Sequence, residues 1–184
     1  MINPEVISAL KSFNWNEIIA KGNQLEDLND RQWRFMKGLV SELIVEKYSG
    51  ENGLKYVGAD HKDFDWPHYN LTVELKGGLS GSMYGKKGRM KKTFSVKFNN
   101  SLGTNKKDKL ESNEVADILL VIKNDGAFVA DRDTVIKHSK KGGDGFEVEL
   151  PRDAVTEITG KVTVNNENNL NIRKLIQDAI KQAI

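Results

Sequence analysis

Hydrophobic and polar positions divide the chain into short helices, then a run of strands, then a closing helix. Asn3-Pro4-Glu5 has the make-up of a helix start: a cap, a proline at the first position and an acid in the first turn. A short first helix is expected from there, with Gly22 ending the segment. Asn29 or Asp30 can cap a second helix over about 31–48, where Trp33, Met36, Val40, Leu43, Ile44 and Tyr48 recur near the 3.6-residue period. Ser49-Gly50 stops it.

The pattern then changes to strands. LKYVGAD is strand-like and leads into DFDW, a Pro67-His68 turn and NLTVELK. In the last of these, Leu71, Val73 and Leu75 alternate with Thr72, Glu74 and Lys76, the mark of a half-buried strand. Gly77-Gly78 breaks it, and the glycine- and lysine-rich stretch 79–92 reads as a loop. Thr93–Phe98 alternates again. ADILLVIK is apolar on both faces and suits a central buried strand. Asn124-Asp125-Gly126 is a hairpin signal, with AFVA as the partner strand. Asp131 or Asp133 can cap a short helix through about His138. Phe146–Leu150 and Val162–Val164 are strand-like, and 169–184 has helical spacing through Leu170, Ile172, Leu175, Ile176, Ala179 and Ile180. The expected class is α/β or α+β: one domain over 1–184, with a central mixed sheet flanked by helices and its core over about 31–138.

Composition narrows the chemistry. The chain has no cysteine, so disulfides and thiolate metal sites are excluded, and a metal must be held by oxygen or imidazole. His61, His68 and His138 have no zinc-site spacing. The N-terminal stretch lacks the make-up of a signal peptide and no apolar run approaches a membrane span, so a cytoplasmic protein is expected. A net charge of +2 is too mild to establish a nucleic-acid partner. Its distribution says more: between 86 and 109, Lys86, Lys87, Arg89, Lys91, Lys92, Lys97, Lys106, Lys107 and Lys109 face Asp108 alone.

The segment from Asp60 to Lys76 carries the candidate chemistry. Glu74 and Lys76 lie two apart on a strand and share a face, about 6.6 Å apart along it. A carboxylate from the preceding strand can approach Glu74 across the Pro67 turn. A hairpin centred near Pro67-His68 would set Glu74 opposite Lys62, with Asp63 one step away, Asp65 opposite Leu71 and Asp60 opposite Lys76. Two carboxylates and the Leu75 carbonyl make an all-oxygen site that suits magnesium. Lys76 would sit beside the attacking water, orienting it or stabilising charge on phosphate. The triplet alone is common in so charged a chain, and Asp60-His61-Lys62 is another. The bland reading is a surface charge pair on an exposed sheet face. As catalytic residues too, Glu74 and Lys76 are expected on an exposed face, dispensable for the core, so that replacing either with Ala abolishes cleavage and leaves folding intact. Three features favour chemistry: the triplet ends an alternating strand, an acid cluster precedes it by one hairpin, and a lysine-rich stretch follows.

That order of elements resembles the core of the PD-(D/E)xK nucleases, most of all small type II restriction endonucleases, over about 31–138. The resemblance implies that Asp63 (or Asp65) and Glu74 bind Mg2+, that Lys76 serves the water, and that a homodimer cuts both strands of a short double-stranded DNA site. One departure is that Lys62, not proline, precedes Asp63. Many members place a helix glutamate near the metal, and Glu42 or Glu46 can fill that role. Lys86, Lys87, Arg89, Lys91 and Lys92 are the candidate DNA contacts, supplying phosphate neutralisation within the basic segment 77–109. The alternatives are a structure-specific nuclease, such as a junction resolvase or repair nuclease on the same core, and a non-catalytic DNA-binding module.

Overall fold

The computed structural model describes residues 1–28, 33–59, 62–77, 81–99, 108–142, 145–164 and 172–183. Asn3 caps α1 (Pro4–Lys11) by accepting the Glu5 N–H at 2.9 Å. The first helical segment does not run unbroken to Gly22. Asn14 accepts the Glu17 N–H at 3.3 Å and starts a new helix, α2 (Trp15–Asn23), with Gly22 buried inside it. The break allows Phe13 and Trp15 to stack in the core, ring centres 5.8 Å apart, where one straight helix would point them to different sides.

Helix α3 (Arg34–Tyr48) follows; the expected caps Asn29 and Asp30 lie outside the described residues. Its innermost line is Lys37, Ser41 and Val45, while Leu43 is 45% exposed. The helix is thus rotated from the apolar stripe that periodicity suggests. In that orientation the adjoining glutamates bond to the first strand. Glu46 accepts the Tyr56 N–H at 3.2 Å, and Glu42 accepts the Tyr56 hydroxyl.

A six-stranded mixed sheet forms the centre. β1 (Lys55–Ala59), β2 (Lys62–Trp66) and β3 (Leu71–Lys76) make an antiparallel meander. β3 then pairs in parallel with β5 (Ile118–Lys123), which pairs antiparallel with β6 (Gly126–Asp131), and β6 with the short β9 (Thr156–Glu157). A second, antiparallel sheet holds β4 (Thr93–Asn99), β8 (Gly145–Pro151) and β7 (Ser139–Gly142), in the order β4-β8-β7. Helix α4 (Arg132–His138) is capped by Asp131, which accepts the Thr134 N–H at 2.8 Å. α5 (Ile172–Ala183) is the last helix, and the expected start at 169 lies outside the described residues.

Burial explains the apolar run in β5. Ile118, Leu120 and Ile122 join a core with α1, α2 and Val45 of α3, whereas Leu119 and Val121 join a second core with Phe94, Val96, Phe98 and Val148 of the small sheet. The layers are helices, mixed sheet and small sheet. The mixed α+β class is as expected. Val162–Val164 is not a strand. Val162 donates its N–H to the Asp125 carbonyl at 2.9 Å, and both valines rest on the helix-side core. Among the described residues no helix is long and apolar enough to cross a membrane.

Candidate active site and basic hairpin

The turn between β2 and β3 sets the register of the site. Pro67–Tyr69 forms a single 3-10 turn and Asn70 takes the left-handed conformation at φ 51°. Phe64 pairs with Val73, Asp65 with Thr72 and Trp66 with Leu71. Extending that register one step from the turn sets Asp63 level with Glu74. The expected pairing of Glu74 with Lys62 is therefore off by one residue, because the turn takes in Tyr69 and Asn70 and is not centred at Pro67-His68. The shift brings Asp63 closer to Glu74. Its Oδ2 accepts the Leu75 N–H at 2.6 Å. Asp65 lies nearer the turn, 42% exposed, and pairs with Lys62 at 3.0 Å. Asp60 is outside the described residues.

Glu74 and Lys76 do not sit on an open face. Glu74 is only 5% exposed. Its side of β3 is the side covered by the small sheet, since it pairs with Leu119 and Lys76 with Val121, both in the second core. Lys76 Nζ reaches Glu74 Oε1 at 2.6 Å and lies 5.1 Å from the centre of the Phe98 ring. Leu75 points the other way, onto the helix-side core. The N–H and C=O of one strand residue leave on the same edge, so the Leu75 carbonyl, like its N–H, is on the β2 edge beside Asp63.

Helix α3 adds a third acid. The Glu42 carboxyl is pushed above the ordinary carboxylate range by burial first and by the Asp63 charge second, against the Tyr56 hydroxyl and Lys76. The Asp63 carboxyl is raised by burial, opposed by the Leu75 N–H and Lys76. The two glutamates of α3 thus divide: Glu46 is tied to backbone and Glu42 shares the field of Asp63 and Lys76.

The donor set fits a hard divalent cation. Asp63 and Glu74 carboxylates and the Leu75 carbonyl are all oxygen, and both Asp63 and Glu42 carry negative charge where burial disfavours it, a strain that a cation relieves. Among the described residues no three His, Asp or Glu side chains form a ready-made metal cage.

The stretch expected as a loop is an anchored hairpin. Gly85 donates to the Arg89 carbonyl at 2.8 Å, Lys91 to the Met83 carbonyl at 3.0 Å, and Tyr84 bridges to Met90. Met83, Tyr84 and Met90 are buried in the second core. Asp125, in the β5–β6 turn, accepts from the Met83 N–H at 2.6 Å and from the Ser82 hydroxyl, and the Tyr84 hydroxyl bonds Glu157. Gly126 makes the seat possible: a Cβ there would meet Met83 Sδ at 2.8 Å. Lys86, Lys87, Arg89, Lys91 and Lys92 are exposed on this hairpin, with no ion-pair partner among the described residues. Lys106 and Lys107 lie outside the described residues. The buried Met83, Tyr84 and Met90 were the signal for an anchored hairpin. Glycines and lysines around them mask it.

Comparison with protein-family models gives no match, and comparison with curated proteins gives no significant relative.

Proposed function

We propose that the chain is a magnesium-dependent endonuclease that hydrolyses phosphodiester bonds of double-stranded DNA at a short specific site, in the manner of a type II restriction endonuclease. The observation that carries this reading is the alignment of Asp63 with Glu74, with Lys76 on the same sheet face and the Leu75 edge between them. Asp63, Glu74 and the Leu75 carbonyl would hold Mg2+, which supplies Lewis-acid stabilisation of the phosphate and a more acidic water. Lys76 orients the water and stabilises charge on the phosphate oxygens. Its ion pair with Glu74 and its place over Phe98 hold the ammonium in position. Glu42 takes part from the helix side, as a carboxylate whose charge is coupled to Asp63. Water attacks phosphorus in line, the bond to the 3′ oxygen breaks, and that oxygen takes a proton, leaving a 5′-phosphate. The exposed cations of the 83–91 hairpin bind the DNA backbone. A cytoplasmic homodimer presenting one site to each strand belongs to the same proposal.

The test is digestion of a plasmid of known sequence with and without Mg2+. Discrete bands only with Mg2+ support the reading; no cleavage under any condition overturns it. A DNA-binding module without cleavage is the second reading, favoured by the lack of a three-side-chain metal cage among the described residues. Binding without cutting is its signature.

A further inference from the structure

The proposed nuclease site uses Lys76 but leaves another lysine on the same sheet face unexplained. Lys123 ends β5, the strand that runs parallel to β3. Alternation along β5 sends Ile122 to the helix side and Val121 to the small-sheet side, so Lys123 faces the small-sheet side with Val121, and thus with Glu74 and Lys76. Its cross-strand partner is Gly126, whose empty Cβ position is filled by Met83 and Tyr84 of the basic hairpin. Lys123 therefore emerges between the acid cluster and that hairpin. One strand across and two residues on from Lys76, its Cα is roughly 8 Å away, a separation that two long side chains can adapt to neighbouring phosphates.

The surroundings are those of an anion site. Lys123 is half-buried, and among the described residues its side chain has no carboxylate partner. The charge it feels is another cation, Lys91 of the hairpin, and burial with that neighbour lowers its pKa. A half-buried cation beside a second, exposed cation is unfavourable unless something negative joins them.

We propose that Lys123 and Lys91 together bind a DNA backbone phosphate adjacent to the scissile one, continuing a cationic track from Lys76 to the 83–91 hairpin. The track sets where the strand lies across the site, and Lys123 is its positioning residue. This rests on the nuclease reading above.

The test measures binding of a short labelled DNA duplex as a function of salt, in an Asp63→Asn background so that the duplex stays intact. Lys123→Met and Lys91→Ala are each expected to lower the slope of log affinity against log salt, and the pair to lower it by about 0.9, the value of the one phosphate contact they share. Lys123→Arg should restore the slope, and Lys11→Ala, an exposed lysine on α1 across the sheet, should leave it unchanged. Lys123→Met should melt no lower than its parent, because it takes a charge out of a half-buried setting. Exposed Lys91 cannot unfold the chain when replaced, so its variant reads the proposal independently. Unchanged slopes for Lys123→Met and Lys91→Ala in a chain whose wild type cuts DNA overturn this inference alone. Failure of the wild type either to bind or to cut duplex DNA overturns the nuclease reading and this inference with it.

Discussion

The carboxylate of Asp63 accepts the N–H of Leu75 at 2.6 Å. This bond crosses from β2 to the residue between Glu74 and Lys76, and it singles out Asp63 from its neighbours. Asp63→Asn is expected to lower cleavage at least about a hundredfold, the scale seen when a group that stabilises transition-state charge is removed. Asp65→Asn, which among the described residues loses the Lys62 pair, should cut at near wild-type rate. Single-turnover cleavage with a magnesium titration separates them; loss confined to Asp65→Asn would move the second carboxylate to Asp65.

Asp63 and Glu42 are both held above the ordinary carboxylate range by burial. A carboxyl whose folded pKa exceeds its unfolded value loses stability as pH rises through that interval, and the penalty is complete above the folded pKa. Asp63→Asn and Glu42→Gln should therefore melt above wild type at neutral pH, with the difference vanishing in acid. Mg2+ should raise the wild-type melting temperature at neutral pH, and the concentration needed should increase as pH falls, since protons compete for the same oxygens. Thermal melts across pH, with and without Mg2+, check both; a stability difference independent of pH would show that these carboxyls do not carry it.

Because Glu74 is buried against Lys76, both Glu74→Ala and Lys76→Ala should abolish cleavage and also destabilise the fold, by about 1–3 kcal/mol. Lys76→Ala should be the worse of the two, since it strands the more buried charge. Glu74→Gln should preserve the fold while still losing cleavage. Urea denaturation beside activity assays distinguishes a lost site from a lost fold.

The two glutamates of α3 should separate by phenotype. Glu42→Gln is expected to reduce cleavage without loss of stability. Glu46→Gln weakens the bond to the Tyr56 N–H, costs about 1 kcal/mol and leaves cleavage near wild type. Equal effects of both on cleavage would count against a direct part for Glu42.

The hairpin should act as a seated arm. Gly126→Ala drives a methyl against Met83 Sδ and should cost about 1–3 kcal/mol by overpacking. It should also weaken DNA binding although no cation is removed. Replacing Lys86, Lys87, Arg89, Lys91 and Lys92 together should weaken binding to every sequence and flatten its salt dependence. An unchanged salt slope in that variant would show the arm pointing away from DNA.

Local patterning was enough to read much of this molecule from its residues. Caps at Asn3 and Asp131, the alternation of Leu71, Val73 and Leu75, the doubly buried ILLVI of β5 and the Asn124-Asp125 turn each depend on neighbours a few residues away. From them the α+β class and the strand bearing Glu74 and Lys76 were legible. Other features depended on long-range packing. A one-residue difference in the Pro67–Asn70 turn decided that Asp63, rather than Lys62, is level with Glu74. The small sheet, whose β4 and β8 are distant in sequence, buried a face that alternation alone would leave open. The orientation of α3 against Tyr56 gave Glu42 and Glu46 different surroundings. Lys123 ends an apolar run and is unremarkable until Gly126 admits the basic hairpin beside it. Periodicity reports which side of its own strand or helix a residue faces; what meets that side is chosen by register and by layers that close only when the whole chain has packed.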